Sequence, residues 1–251
     1  MLKIKNLSFD VQSEGQNKEI IRDISIDVPD GKLFVITGPN GGGKSTLLKS
    51  IRGELALIGG SVYLGDDEIR KLSLPELARK MSIVTTDRIK PELMTCRDIV
   101  SAGRLPYTDC FGFGSDKDTA AVQRAIELMK IEKIADKPYD KLSDGQKQRT
   151  LIARAISQEP EYLVMDEPTS YLDVRYRMEL MDVIEKLSEE GVTVIMSLHE
   201  LELALSCSDR LLLIYEDGRT LCAEPSEVIE KGLIKELFSL TDEMYEKFKK
   251  H

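Results

Sequence analysis

Gly38-Pro39-Asn40-Gly41-Gly42-Gly43-Lys44-Ser45-Thr46 meets every specified position of the phosphate-cradling pattern GxxxxGK(S/T). An apolar run, Leu33 to Ile36, leads into it, and a helix-capable stretch, Ser45 to Ile51, leads out. That is the order strand, Gly-rich loop, helix that the pattern requires. Glycines without Cβ let the loop close around an anion, and its backbone N–H groups, with the positive end of the helix, point at phosphates. Lys44 is placed to reach the β- and γ-phosphates, and the Ser45 hydroxyl to ligate the Mg2+ that bridges them, with Thr46 beside it as the next helix residue. The stretch alone implies a bound nucleotide.

Outward from this loop, the bulk properties narrow the setting. The chain has 251 residues, enough to bury a large core without covalent staples, and its 41% hydrophobic and 31% charged content is ordinary for a globular protein. A net charge of −9 disfavours broad attraction to nucleic acid or an anionic bilayer, so no nucleic-acid partner is expected. The four cysteines show no CxxC spacing, which points to reduced thiols and a reducing compartment. The N-terminus turns polar too early for a secretory signal and no apolar run approaches a bilayer span, so any membrane role is expected to come through a partner.

Residues 2–9 and 20–28 alternate apolar and polar side chains, as half-exposed antiparallel strands do. Gly59 to Asp66 reads as turn, strand, turn. Ser73 to Glu76 reads as a capping box opening a helix, with a strand over Met81 to Val84. Over 95–157 helical periodicity dominates, with Thr95 and Ser115 as N-caps. From Tyr162 strands alternate with helices: strand at 163–165, helix 175–189, strand 192–196, helix 201–207, strand 210–215. Such alternation predicts a parallel sheet covered on both faces, followed by two helices over 224–251.

Tyr162 to Pro168, YLVMDEP, is an apolar strand ending in adjacent carboxylates. Asp166 stands where a phosphate-loop protein needs a Mg2+ ligand, and strand alternation points Glu167 to the opposite side, as the group that polarises water for attack on the γ-phosphorus. His199 is one of two histidines and follows an apolar strand, among the loops at the carboxyl edge of the sheet, where an imidazole can contact γ-phosphate and water. Leu142 to Arg149, LSDGQKQR, opens with Ser143 as a helix cap and Gly145 as a point of close backbone approach: a second helix N-terminus, suited to an anion or an ordinary helix start.

The ordered set GPNGGGKST, LSDGQKQR, YLVMDEP, SYLD and MSLHE resembles the nucleotide-binding subunit of an ATP-binding cassette (ABC) transporter over nearly the whole chain. The resemblance implies an α/β fold: a P-loop NTPase core, mainly a parallel sheet flanked by helices, with an N-terminal antiparallel β subdomain and an inserted α-helical subdomain. Residues 1–251 would form one ATPase domain, with core and β subdomain over about 1–86 and 159–223, the helical subdomain over about 87–158, and C-terminal helices over 224–251. It implies ATP and Mg2+ as ligands, gripped by Gly38, Pro39, Asn40, Gly41, Gly42, Gly43, Lys44, Ser45 and Thr46. Lys44, Glu167 and His199, the last as switch histidine, would serve catalysis. By the same resemblance Leu142 to Gln146 would be the signature that completes the site of a second copy in a head-to-tail dimer, through Ser143, Gly145 and Gln146, and Asp173 would fall on the loop that crosses the dimer interface.

Within the family, the segment from Ala78 to Tyr107, with its GRLPY element, resembles ATPases of importers of iron chelates, haem and cobalamin. That likeness implies permease subunits, a substrate-binding protein met indirectly, and a place on the cytoplasmic face of the membrane. The docking surface is expected between Thr86 and Ser115, with Leu93, Met94, Tyr107, Phe111 and Phe113 as its apolar groove. A soluble ABC-type ATPase and a nucleotide switch without coupled transport are the alternatives. Three departures stand out. The family's glutamine, which reaches Mg2+ and water, is Thr86, which would need a bridging water. The adenine-stacking aromatic aligns with Val11, leaving apolar contact or an inward-turned Phe9. The first signature glycine is Asp144, a carboxylate expected to face solvent or a basic neighbour.

Overall fold

The computed structural model describes residues 1–13, 16–55, 59–85, 89, 91–107 and 115–248, with side chains of 10–20 and 22 outside the description. The chain divides into two compact units, Met1–Lys71 with Ile195–His251, and Leu72–Val194.

The first unit opens with β1 (Leu2–Ser13) and β2 (Gln16–Val28), paired antiparallel from Leu2 opposite Val28. Alternation gives the expected result: Ile24, Ile26 and Val28 are buried while Asp23, Ser25 and Asp27 are exposed. Register shifts near Asn6 and Asp23, both with left-handed backbone, are tied by Asn6 Nδ2 donating to Asp23 Oδ1 (2.6 Å) and Asp23 N to Ser8 Oγ (3.0 Å). β3 (Leu33–Thr37) is buried at all five positions and feeds α1 (Lys44–Ile51) through the Gly-rich loop. β4 (Gly59–Leu64) and β5 (Asp67–Glu68) complete a sheet of order β2-β1-β4-β5.

The second unit contains α2 (Leu74–Lys80), β6 (Met81–Val84), α3 (Cys96–Ser101), α4 (Asp116–Leu128), α5 (Asp144–Ser157), β7 (Tyr162–Met165) and α6 (Val174–Glu189). β6 and β7 pair parallel, Met81 opposite Tyr162 through Val84 opposite Met165. β8 (Thr193–Ser197) runs across the boundary in sequence. The first unit then resumes with α7 (Leu201–Cys207), β9 (Arg210–Ile214), β10 (Thr220–Ala223), α8 (Pro225–Glu230), α9 (Leu233–Leu237) and α10 (Asp242–Phe248). β9 pairs parallel with β3 and antiparallel with β10, so the core strands are mainly parallel with one antiparallel edge. The C-terminal segment holds three short helices rather than two; Gly232, in left-handed backbone, ends the first and starts the second.

The helical layer of the second unit is fastened at one buried guanidinium. Arg104, 3% exposed, donates from Nε to Asp118 Oδ1 (2.7 Å) and from Nη1 to Ser157 O (2.8 Å) and Glu159 Oε2 (3.0 Å). Gly103 beside it lies so close to α5 that a Cβ would stand 2.2 Å from Arg154 O. Asp118 also caps α4, and the Ser115 N–H and hydroxyl, then Arg104, hold its carboxyl below its ordinary value of 3.8, to about 2. A depressed folded-state value contributes stability above the unfolded value and loses it as pH falls toward the folded one. We expect Asp118→Asn to lower stability by about 2 kcal/mol at pH 7, a difference that fades between about pH 4 and pH 2 in denaturant titrations. A gap independent of pH would remove the ionised carboxylate from the account.

Candidate functional site

In the first unit, the loop geometry follows from three glycines. Gly38 has φ 148°, and a Cβ on it would stand 2.2 Å from Ile214 O at the end of β9. Gly41 (φ 79°) and Gly43 (φ 95°) carry the left-handed turns that return the chain to α1. The Lys44 side chain, in a residue 5% exposed, curls back over the loop and donates from Nζ to Gly38 O (2.8 Å) and Pro39 O (2.9 Å). Gly43 caps α1 without a side-chain bond, and the first turn has no acid, so the helix start is electropositive. Ser45 and Thr46 are half-buried in that turn, and Asn40 is exposed at the loop's tip. His199 is exposed, and its neighbour Leu198 donates to Ile36 O (3.1 Å), so the chain reaches the histidine directly alongside the strand that feeds the loop.

In the second unit, Asp166 is 5% exposed, and its N–H donates to Val84 O (2.9 Å), extending the β6–β7 ladder by one residue. Glu167 departs from expectation. The strand ends at Met165 and Glu167 takes left-handed backbone (φ 47°), so its side chain is not aimed by strand alternation. Its carbonyl accepts from Ser170 N (3.1 Å), and its carboxylate from Ser170 Oγ (3.4 Å). Ser143 caps α5 through a full capping box: its hydroxyl accepts from Gln146 N (3.3 Å) and Gln146 Oε1 accepts from Ser143 N (3.0 Å). Asp144 is exposed in the first turn, as expected. Asp173 caps α6, accepting from Tyr176 N (3.0 Å).

Gly145 approaches Tyr171 so closely that a Cβ would lie 3.0 Å from its carbonyl oxygen, and Gln148 Nε2 donates to Pro168 O (3.2 Å). The signature segment and the loop from Glu167 to Asp173 are thereby brought together. Sequence reasoning passed over Gln148 and Ser170; the helical spacing from Gly145 to Gln148 was the available signal.

Phe9 needs a correction: it is 1% exposed, a core residue, and its ring presents no face to a base. Thr86, Phe111 and Phe113 lie outside the described residues, as does the side chain of Val11. Leu93 and Met94, with Pro91 and Tyr139, line an apolar cavity of about 850 Å³, and Leu93 is fully exposed.

The residues fit a triphosphate with Mg2+. The start of α1 offers N–H groups without a capping side chain, and Lys44 supplies a cation over the loop. Ser45 in the first turn of α1 and Asp166 just past β7 each offer an oxygen donor of the kind that Mg2+ takes together with substrate phosphates.

A P-loop nucleotide-binding protein is the class these features define. The match to known proteins is narrower: the ABC transporter family model matches residues 21–170, and the chain belongs to that family. It is 37% identical to an uncharacterised ABC transporter ATP-binding protein of Methanocaldococcus jannaschii, over 98% of this chain and 83% of that protein. It is 33% identical to the iron(3+)-hydroxamate import ATP-binding protein of Bacillus subtilis, over 91% and 85%. Among solved structures it is similar, with TM-score 0.76 and 25% identity over 88% of this chain and 98% of that one, to an ATP-binding cassette in a dimeric post-hydrolysis state bound to ADP and Pi.

Gly38→Ala is expected to cost about 2 kcal/mol or more, read as a lowered denaturant midpoint, and to weaken binding of a fluorescent ATP analogue. Gly41→Ala, with φ 79° but no atom within 4 Å of its Cβ, should cost only the backbone term of about 1 kcal/mol. Equal losses at the two positions would show that the Ile214 contact does not set the loop.

Proposed function

We propose that the chain is the ATP-binding and ATP-hydrolysing subunit of an importer, driving uptake of an iron chelate, haem or cobalamin-type substrate through separate permease subunits. The observation that carries it is the Lys44 ammonium held over its loop at the uncapped foot of α1. The likeness to an iron(3+)-hydroxamate import protein supports the substrate class and the direction.

In this reading backbone N–H groups of the loop between Gly38 and Thr46, where Pro39 alone has none, take the phosphates, and Lys44 neutralises the β- and γ-oxygens. Ser45 and Asp166 would hold Mg2+, which when bound neutralises charge between the phosphates. Glu167 takes a proton from water as its oxygen bonds to the γ-phosphorus; the bond from that phosphorus to the bridging oxygen breaks, releasing ADP and phosphate. His199 orients that water and the γ-phosphate.

Ser143, Gly145 and Gln146 of a second, head-to-tail copy complete the site, with Asp173 at the interface; the dimeric ADP-bound relative supports this. Thr86 and Val11 would act on Mg2+ and adenine respectively. No helix among the described residues is long and apolar enough to cross a membrane. As the ATP-binding subunit of an importer, the chain would sit peripherally on the cytoplasmic face, meeting a substrate-binding protein only through the permease.

Glu167→Gln should keep ATP binding and lower steady-state turnover on the order of a hundredfold or more, whereas Lys44→Ala should lose binding first. Turnover per chain should also rise with protein concentration as dimers form. Undiminished turnover in Glu167→Gln would overturn the assignment of the base, and turnover per chain constant down to the lowest measurable concentration would overturn the dimeric site.

A further inference from the structure

We infer that Arg149 and Tyr176 are positioning residues for hydrolysis: their stack clasps the segment bearing Glu167 and Asp173 onto the first two turns of α5. This rests on the proposed role of Glu167. Gly145, Gln148 and Arg149 are spaced three and four apart and share one face of α5. Along that face Gly145 meets Tyr171 O and Gln148 bonds Pro168 O, while the Arg149 guanidinium lies 3.9 Å from the centroid of the Tyr176 ring. Three consecutive points of one helix thus grip three points of the segment from Pro168 to Tyr176.

Stability alone does not account for the third grip. Arg149 is 8% exposed, its Nε has no hydrogen-bond partner, and it makes no ion pair among the described residues. Its Nη1 donates to Lys130 O (3.3 Å) and, at longer range, to Met129 O (3.5 Å), just past the end of α4. A buried guanidinium with no counter-ion among the described residues carries a desolvation cost that an apolar side chain of similar volume avoids, and two long bonds to carbonyls offset it only in part. What the guanidinium adds is a flat, rigid cation that fixes the plane of one ring.

The segment it holds needs fixing. Glu167 and Tyr171 both have left-handed backbone (φ 47° and 66°), a conformation that persists in non-glycine residues only where the surroundings enforce it. Tyr176 is tied by its own N–H to Asp173 Oδ1, and Ser170 N to Glu167 O, so displacement of the ring passes along the turn to both acids. α5 therefore sets where the base stands, and the signature at its start moves with it.

The test uses the full-length chain, with turnover normalised to folded protein and to bound ATP. Tyr176→Leu and Arg149→Lys should each lower kcat on the order of tenfold to a hundredfold with KM for ATP unchanged, because the Lys44 loop is untouched. The double variant should lose no more than the worse single one. Tyr176→Phe keeps the ring and should retain kcat within about twofold. Unchanged kcat per folded chain in Tyr176→Leu and Arg149→Lys, or kcat and KM moving together, would overturn the inference. Glu167→Gln in the same assay separates the two failures. If it abolishes turnover while Tyr176→Leu does not lower it, the positioning role alone falls. If it leaves turnover intact, the hydrolytic reading falls and takes this one with it.

Discussion

The hydrogen that Gly38 carries in place of a Cβ is the constraint on which the first unit turns. Parallel pairing of β3 with β9 sets Thr37 opposite Leu213, so Gly38 and Ile214 meet at the carboxyl ends of the two strands, where Ile214 O leaves no room for a side chain. The chain therefore bends as it leaves β3, and the bend delivers Gly41, Gly43 and Lys44 to the start of α1. Burial of Leu47, Leu48 and Ile51 then holds the helix in place. The anion-binding loop is thus a product of strand register and one missing methyl group, not of the loop's composition alone.

The second unit is organised by its helix starts. α2, α3, α4 and α5 each open on a Ser or Thr that forms a capping box with the acid or amide three residues on. Asp118 does two things at once, closing the start of α4 and meeting the buried Arg104, which links it to the end of α5. The signature helix is consequently fixed at its far end by Arg104 and Gly103 and along its near end by the segment after β7.

What could be read in the sequence is what is decided within a few residues. The alternation of β2, the caps at Ser73, Thr95 and Ser115, and the loop from Gly38 to Thr46 state their own conformations, because the turn chemistry and periodicity are local. The short strand β10 was not legible, since Thr220 to Ala223 pairs only because β9 offers an edge. Phe9 was offered to a base only as a stand-in for the aromatic that the family resemblance aligns with Val11, yet a register shift beside it accompanies a ring that lies in the core. Glu167 was placed by the pleat of a strand that stops two residues earlier, and nothing in YLVMDEP marks the left-handed turn. The contacts between α5 and the segment from Pro168 to Tyr176 join residues twenty or more positions apart and emerge only on folding.

The starts of α1 and α5 differ in a way that bears on timing. α5 arrives with its own counter-charge: the Ser143 cap, the Gln146 amide and the Asp144 carboxylate together quench its positive pole. α1 has neither a capping side chain nor an acid in its first turn. Under the proposed function, a nucleotide is drawn first to the unquenched pole of α1, where its charge is most needed. On the same proposal the signature end, with its cap and acid already in place, would gain little from the anion alone and would join afterwards through shape and hydrogen bonding. On that proposal, the order in which the two helix starts meet a nucleotide follows from how each helix is begun.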